Sequence, residues 1–185
     1  MNPILLDIPM PIVTERLILR EPRVGEGKVV NDAIAESFAE LHAWMPWAAT
    51  MPSVEESEIY TRQSVAKFIE RREFALRIWN RDQTRFLGST GLHVKSWEPR
   101  VFEIGYWIRT SEAGRGLMTE AVTAVTAFGF DVMKAIRIYI RCDDRNGASA
   151  RVAEKAGYQL EGLMRHDSLD NHGQLRSTRL YARIA

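Results

Sequence analysis

The chain has a single cysteine, Cys142, so no internal disulfide can form, and this fits a reducing compartment. Cys142 ends the strand-like run Arg137–Arg141 with no base beside it in sequence. It reads as a small apolar residue rather than a nucleophile. Histidine is scarce: His42, His93, His166 and His172 show no metal-ligand spacing, so no metal site is expected. No apolar run has the length of a membrane span. The opening stretch MNPILLDIPMPIV lacks the basic start and long apolar core of a secretory leader, which makes cytoplasmic the expectation. Neither charge is in surplus; a formal net charge of +1 leaves no footprint for nucleic acid or anionic membrane, so any basic site must be local. Repeats, low-complexity tracts and linkers are missing too. At 185 residues the chain is expected to form one domain, 1–185, with residues 1–13 (carrying Pro3, Pro9 and Pro11) as an irregular lead-in.

What is present is organised around Gly114-Arg115-Gly116-Leu117-Met118-Thr119-Glu120-Ala121. A strand-like run, Val101–Arg109, precedes it. A run of helical spacing follows, through Leu117, Ala121, Val125, Phe128 and Val132. Strand, glycine turn and helix N-terminus together make an anion site, because the first amides of a helix have no internal partner. Gly114 and Gly116 let backbone approach a ligand, and Arg115 adds a guanidinium suited to phosphate. A plain turn before a core helix would leave the same trace. The stretch is neither a Walker loop, having no Gly-Lys-Ser/Thr, nor a dinucleotide fingerprint, which would need glycine at Thr119.

The rest of the pattern predicts a mixed sheet with helices on its faces, α+β or α/β. Strands are expected at Thr14–Glu21, Phe74–Trp79, Phe86–Trp97 (with Gly88 and Gly91 marking a bend or bulge), Val101–Arg109, Ile136–Ile140, Tyr158–Leu163 and Leu175–Ile184. The last two form a hairpin around Asp170–Gly173. One helix should run from Glu26 to about Ala43, stopped by Pro46. Ser53 and Glu56 form a capping box for a second, reaching about Arg72 with Ile59, Val65, Ala66 and Ile69 inward. Asn146 should start a short helix with Ala148, Val152, Ala153 and Ala156 on its inner side, ended by Gly157.

Four pieces in this order, LHAWMPW (Leu41–Trp47), EIGYW (Glu103–Trp107), GRGLMTEA (Gly114–Ala121) and NGASARVAEKAGY (Asn146–Tyr158), resemble the GNAT acetyltransferase superfamily, most closely its RimJ/RimL branch. The likeness covers nearly the whole chain. The family's acyl-CoA loop, Gln/Arg-x-x-Gly-x-Gly/Ala, falls on Ala113–Met118. Gly116 matches the central glycine, while Ala113 and Met118 depart from the pattern; the loss at Ala113 removes a polar side chain but no backbone amide.

The resemblance implies a mostly antiparallel seven-stranded sheet, about four helices and two splayed central strands. It implies acetyl-CoA as co-substrate. The pantetheine arm would lie along Trp107, Ile108 and Arg109, and the diphosphate on Gly114, Arg115, Gly116, Leu117, Met118 and Thr119. Asn146 and Ser149 would face the same cleft. It also implies an amine acceptor, a protein N-terminus or peptide-like molecule, and no nucleic-acid or membrane partner; exposed strand edges leave room for a homodimer. Two catalytic residues are carried over: Ser149, donating to the leaving thiolate, and Glu103, a general base, with Glu161 and Asp167 as alternatives. The bland roles are a serine bonding backbone in a first helical turn and a carboxylate paired with a cation. Trp44 and Trp47 are expected to wall an acceptor slot, and Tyr106 and Trp107, adjacent on a strand, must point to opposite faces, so at most one enters the cleft. The alternatives are a small-amine acetyltransferase of the same fold, acting on an antibiotic, polyamine or aminoacyl nucleotide, and a module that senses acyl-CoA without transfer.

Overall fold

A computed structural model describes residues 2–185. Eight strands form one sheet in the order β1-β2-β3-β4-β5-β6-β8-β7. They are β1 (Ile12–Val13), β2 (Leu17–Arg20), β3 (Glu73–Asn80), β4 (Phe86–Trp97), β5 (Arg100–Ile108), β6 (Arg137–Asp143), β7 (Gln159–Leu169) and β8 (Leu175–Ile184). The helices are α1 (Gly27–Glu36), α2 (Phe38–Trp44), α3 (Val54–Ile69), α4 (Leu117–Asp131) and α5 (Gly147–Lys155). All neighbouring strands are antiparallel except β5 and β6.

That parallel pair places the site. It is registered only from Val101 opposite Arg137 to Glu103 opposite Tyr139, and among the described residues β5 has no strand partner on that side from Ile104 onward. The ladder to β4 continues, and the amide of Arg109 donates to Leu87 O at 2.7 Å. Alternate residues of an antiparallel strand bond to one neighbour, so the amides of Tyr106 and Ile108 point to the unpaired edge.

The expected seven strands become eight because Ile12–Val13 pairs with Leu19 and Ile18; the lead-in also holds a short 3-10 turn at Pro3–Leu5, so it is not irregular throughout. The single helix expected from Glu26 is two. The chain leaves helical geometry at Ser37, whose hydroxyl accepts the amide of Thr110 at 3.0 Å. The capping box at Ser53 and Glu56 is present, as is the cap of α5, where the Asn146 side chain accepts the Ser149 amide.

The inward face expected for α3 is wrong: Ile59 and Ile69 are exposed, and Ser57, Thr61, Ser64 and Phe68 are buried. The cause lies in the sheet. Arg77, also fully buried, projects under α3 and donates to Thr61 Oγ1 at 3.1 Å and Ser89 Oγ at 2.9 Å. Buried polar groups need partners, so the helix face above them is hydroxylic rather than aliphatic. In α5, Ala148 is exposed and Ala150 takes the inner position with Ala153 and Ala156. Bulges fall at Ile78/Trp79, beside Gly88, and at Val94/Ser96. A Cβ on Gly88 or Gly91 would stand 2.2 or 2.4 Å from a neighbouring backbone oxygen, which is why both positions are glycine.

Two apolar clusters flank the sheet. Leu76, Ile78, Leu92 and Ile104 pack against Leu117, Val122 and Val125 of α4 on one face, and Phe86, with Trp79 and Trp107 against it, meets Val30, Ile34 and Leu41 on the other. Cys142 is buried, as its sequence context suggests.

Candidate active site

The glycine turn takes the shape its sequence requires. Gly114 and Gly116 sit at φ +75° and +77°, a region that side chains disfavour. Gly116 is the N-cap of α4 and supplies no side-chain oxygen. The first hydrogen bond back to the cap comes from Glu120, so the amides of Leu117, Met118 and Thr119 remain open on an exposed turn. The side chains of Leu117 and Met118 are buried in the core and anchor that turn from beneath. Arg115 is largely exposed and its guanidinium pairs with Glu112. Glu120 braces the turn from the far side: its carboxylate accepts from Thr14, from the amide of Arg16 at 2.9 Å and from Arg16 Nε, whose Nη1 in turn donates to Arg115 O.

The Arg109 side chain is buried and engaged within the fold. Its Nε donates to Phe86 O at 2.6 Å and it pairs with Glu36. The Arg109 amide donates to Leu87 O and its carbonyl accepts from Glu112 N at 3.0 Å, so the open part of the β5 backbone ends at Ile108.

Tyr106 and Trp107 diverge as strand geometry demands. The Tyr106 hydroxyl reaches Ser149, 2.9 Å from its Oγ and 3.1 Å from its carbonyl oxygen. Burial pushes the Tyr106 phenol well above its ordinary range, so it stays protonated. Trp107 turns the other way, against Trp47 (centroids 6.2 Å apart) and Phe86 (5.9 Å).

Between α1, α3 and the sheet lies a cavity of about 460 Å³. Ala75, Arg77, Ser89, Gly91 and Gly105 form its floor, Val30, Ile34 and Tyr60 its walls, and Met45, Trp47 and Trp107 one end. Trp47 thus lines the cavity, and Trp44, at the end of α2, does not. Glu73 and His93 stand at the opposite end, with His93 Nδ1 3.2 Å from Glu73 Oε1.

Glu103 shares this face of the sheet at its margin. Its carboxylate accepts from Arg141 Nε at 2.9 Å and lies 3.2 Å from Lys95 Nζ. Burial pushes its pKa up, but Arg141 and Lys95 outweigh that and hold it below the usual range. The alternatives are elsewhere: Glu161 pairs with Arg137, and Asp167 accepts from Thr178 at 2.9 Å; like Glu103, neither is among the residues lining the cavity.

Two features escaped the sequence reading. One is the Glu73–His93 pair. The other is a strap across the cleft: Arg145, next to the cap of α5, bridges Asp143 and Asp170, and Asn171 then donates to His42 O at 2.7 Å and Met45 O at 3.0 Å. The β7–β8 turn is thereby tied to the loop that carries Trp47. Among the described residues no group of acidic, histidine or cysteine side chains could hold a metal ion, and no helix is long and apolar enough to cross a membrane.

The family model described as acetyltransferase (GNAT) domain matches residues 16–159. The N-acetyltransferase YoaA of Bacillus subtilis, uncharacterised, is 27% identical over 91% of this chain and 93% of its own. The RimL ribosomal L7/L12 α-N-protein acetyltransferase, solved with coenzyme A, superposes with a TM-score of 0.86 at 23% identity, covering 96% of this chain and 97% of that one. The microcin C7 self-immunity acetyltransferase MccE, solved with acetyl-CoA and AMP, superposes with a TM-score of 0.85 at 19% identity, over 93% and 94% of the two chains.

Proposed function

Since the chain belongs to the GNAT acetyltransferase family, we propose that it is an acetyl-CoA-dependent N-acetyltransferase of RimJ/RimL type, acting in the cytoplasm on the α-amine of a protein N-terminus or peptide-like acceptor. The observation that carries the reading is a pair of open backbone features in one stretch of chain, the unpaired edge of β5, which borders the cavity, and the glycine turn that follows it. The amides of Leu117–Thr119 suit a diphosphate, and the unpaired edge of β5 at Tyr106–Ile108 suits a pantetheine arm. The likeness to RimL favours a protein acceptor.

Transfer joins the amine nitrogen to the thioester carbonyl carbon in a ternary complex and breaks the carbon–sulfur bond. Placement supplies much of the acceleration. The Ile108 amide holds the carbonyl oxygen as it gains charge. Ser149, held by Tyr106, donates to the departing sulfur. Glu103, kept ionised by Arg141 and Lys95, fixes the charges at the margin of this face. Trp47 and Trp107 grip the apolar part of the acceptor. A peptide α-amine suits this site because its pKa, near ~7.7–8.0, leaves a sizeable neutral fraction, whereas deprotonating a lysine near ~10.4 costs roughly 3–4 kcal/mol. Pairing of strand edges in a homodimer belongs to the same proposal.

The small-amine reading has its own support in the likeness to MccE. Thiol release from acetyl-CoA against α-amine peptides, lysine peptides, polyamines and aminoacyl-adenylate analogues tests the assignment. Turnover of α-amine peptides above the others is expected. Turnover of adenylates alone makes the chain a small-molecule enzyme, and tight acetyl-CoA binding without turnover makes it a sensor.

A further inference from the structure

We propose that His93, oriented by Glu73, is the general base that takes the proton from the attacking amine. The inference rests on the acetyltransferase reading above and names a residue that reading leaves unassigned.

Position comes first. His93 lies directly opposite Glu103 in the β4–β5 ladder, at the last β5 residue paired to β6. Its ring leans over the next residue on that face: Nε2 stands 2.9 Å from where a Cβ on Gly105 would be. Any side chain at 105 would displace the imidazole, so the glycine makes its seat. The nitrogen is thus held where β5 begins to part from β6, on the cavity side, with Gly105, Tyr106 and Trp107 continuing the same wall.

Orientation comes second. Glu73 is pulled down to about 2, first by the hydrogen bond with His93 and against the upward push of burial, with Lys67 adding to the pull. An ionised carboxylate only accepts, so in the neutral ring Nδ1 carries the proton toward Glu73 and Nε2, on the cavity side, is the nitrogen with the lone pair. Glu73 is itself fixed by Lys67 Nζ at 3.0 Å. The charged groups facing the ring are Glu73 from β3, Lys67 from α3 through Glu73, Glu103 from β5 with Arg141 of β6 upon it, and Lys95 from β4 itself. Glu103, the other carboxylate at this margin, has its oxygens occupied by two cations, which makes it the weaker proton acceptor.

The proton balance is simple. The amine nitrogen bonds to the carbonyl carbon and its proton passes through a bridging water to His93 Nε2. The carbon–sulfur bond breaks, the thiolate leaves and takes up a proton, and the imidazolium returns its own to water. Glu73 does not change protonation; it is a positioning residue.

His93→Ala is compared with the intact protein using acetyl-CoA and an α-amine peptide. General-base catalysis contributes typically ~10²–10⁴-fold, so kcat should fall by about a hundredfold or more while acetyl-CoA affinity is kept. Added imidazole should restore the rate, and as pH is varied the restored rate should follow the neutral imidazole concentration. His93→Gln, which fills the space without a basic nitrogen, should stay slow and unrescued. A His93→Ala kcat within about threefold of wild type overturns the proposal, because that is far below the range for a lost base. So does a loss confined to the peptide's KM, or a kcat loss that imidazole leaves untouched. If the intact protein itself turns over no amine, the functional reading falls and this inference with it; if only the variants behave as wild type, the inference falls alone.

Discussion

The Tyr106 hydroxyl stands 2.9 Å from Ser149 Oγ and 3.1 Å from the Ser149 carbonyl oxygen, joining the open strand β5 to the first turn of α5. By donating to the carbonyl, the phenol leaves its own oxygen to receive the serine proton. Ser149 is thereby held ready, and a nearby sulfur that gains negative charge competes for its hydrogen. Removal of a hydrogen bond to a charged group costs about 1.5–3 kcal/mol, roughly 10- to 100-fold in rate. Ser149→Ala should lower kcat by that factor and leave the acetyl-CoA dissociation constant unchanged. Tyr106→Phe should do the same to a smaller extent. Stopped-flow turnover beside calorimetric binding checks both.

The glycine turn makes the second prediction. Acetyl-CoA at a hundredfold excess over Kd adds about 2.7 kcal/mol to the folded state. For a chain of this size that corresponds to a Tm rise of roughly 5–10 °C. Gly116→Glu should abolish the rise, since it forces a side chain onto φ +77° and sets a negative charge at the open amides. The check is thermal unfolding with and without ligand; a folded variant with the full shift removes the diphosphate site.

Gly116, Asn146, Ser53 and Gly157 are local signals, each settled by a few neighbouring residues, and all four stand where the pattern puts them. Ser37 was missed because nothing local breaks that helix; the partner of its hydroxyl is Thr110, far along the chain. Ile59 and Ile69 misled because aliphatic residues normally mark the inner face, and the exception is set by Arg77 on another element. His93 carried no motif. It meets Glu73 through the β3–β4 register and Gly105 through the β4–β5 register, neither of which periodicity supplies. The edge strand Ile12–Val13 is two residues long, too short to show alternation.

The strap makes a third prediction. Asn171 binds the backbone at His42 and Met45 and so fixes the loop bearing Trp47, which is 49% exposed and depends on that loop for its position. Asn171→Ala and Trp47→Ala should each raise the acceptor's KM, Trp47→Ala the more, and neither should alter acetyl-CoA affinity. Steady-state kinetics with the peptide varied at saturating acetyl-CoA reads this directly.

Acid stability makes the fourth. Glu73 titrates at about 2 in the folded chain against 4.5 otherwise, so its contribution is complete above 4.5 and is lost as pH falls through the folded value. Discounted for partial solvent screening, it should amount to roughly 1–2 kcal/mol. Urea unfolding at neutral pH should show Glu73→Gln less stable by that amount, and the gap should close as the pH is lowered toward 2.

The most direct measurement uses one peptide that carries both a free α-amine and an internal lysine, incubated with acetyl-CoA and the protein, with the acetylated position read by fragmentation mass spectrometry over time. The deprotonation difference of roughly 3–4 kcal/mol corresponds to a rate ratio on the order of 10² or more. The account predicts acetylation at the α-amine, with the lysine lagging by at least that factor. Equal rates at the two amines, or modification of the lysine alone, would contradict it.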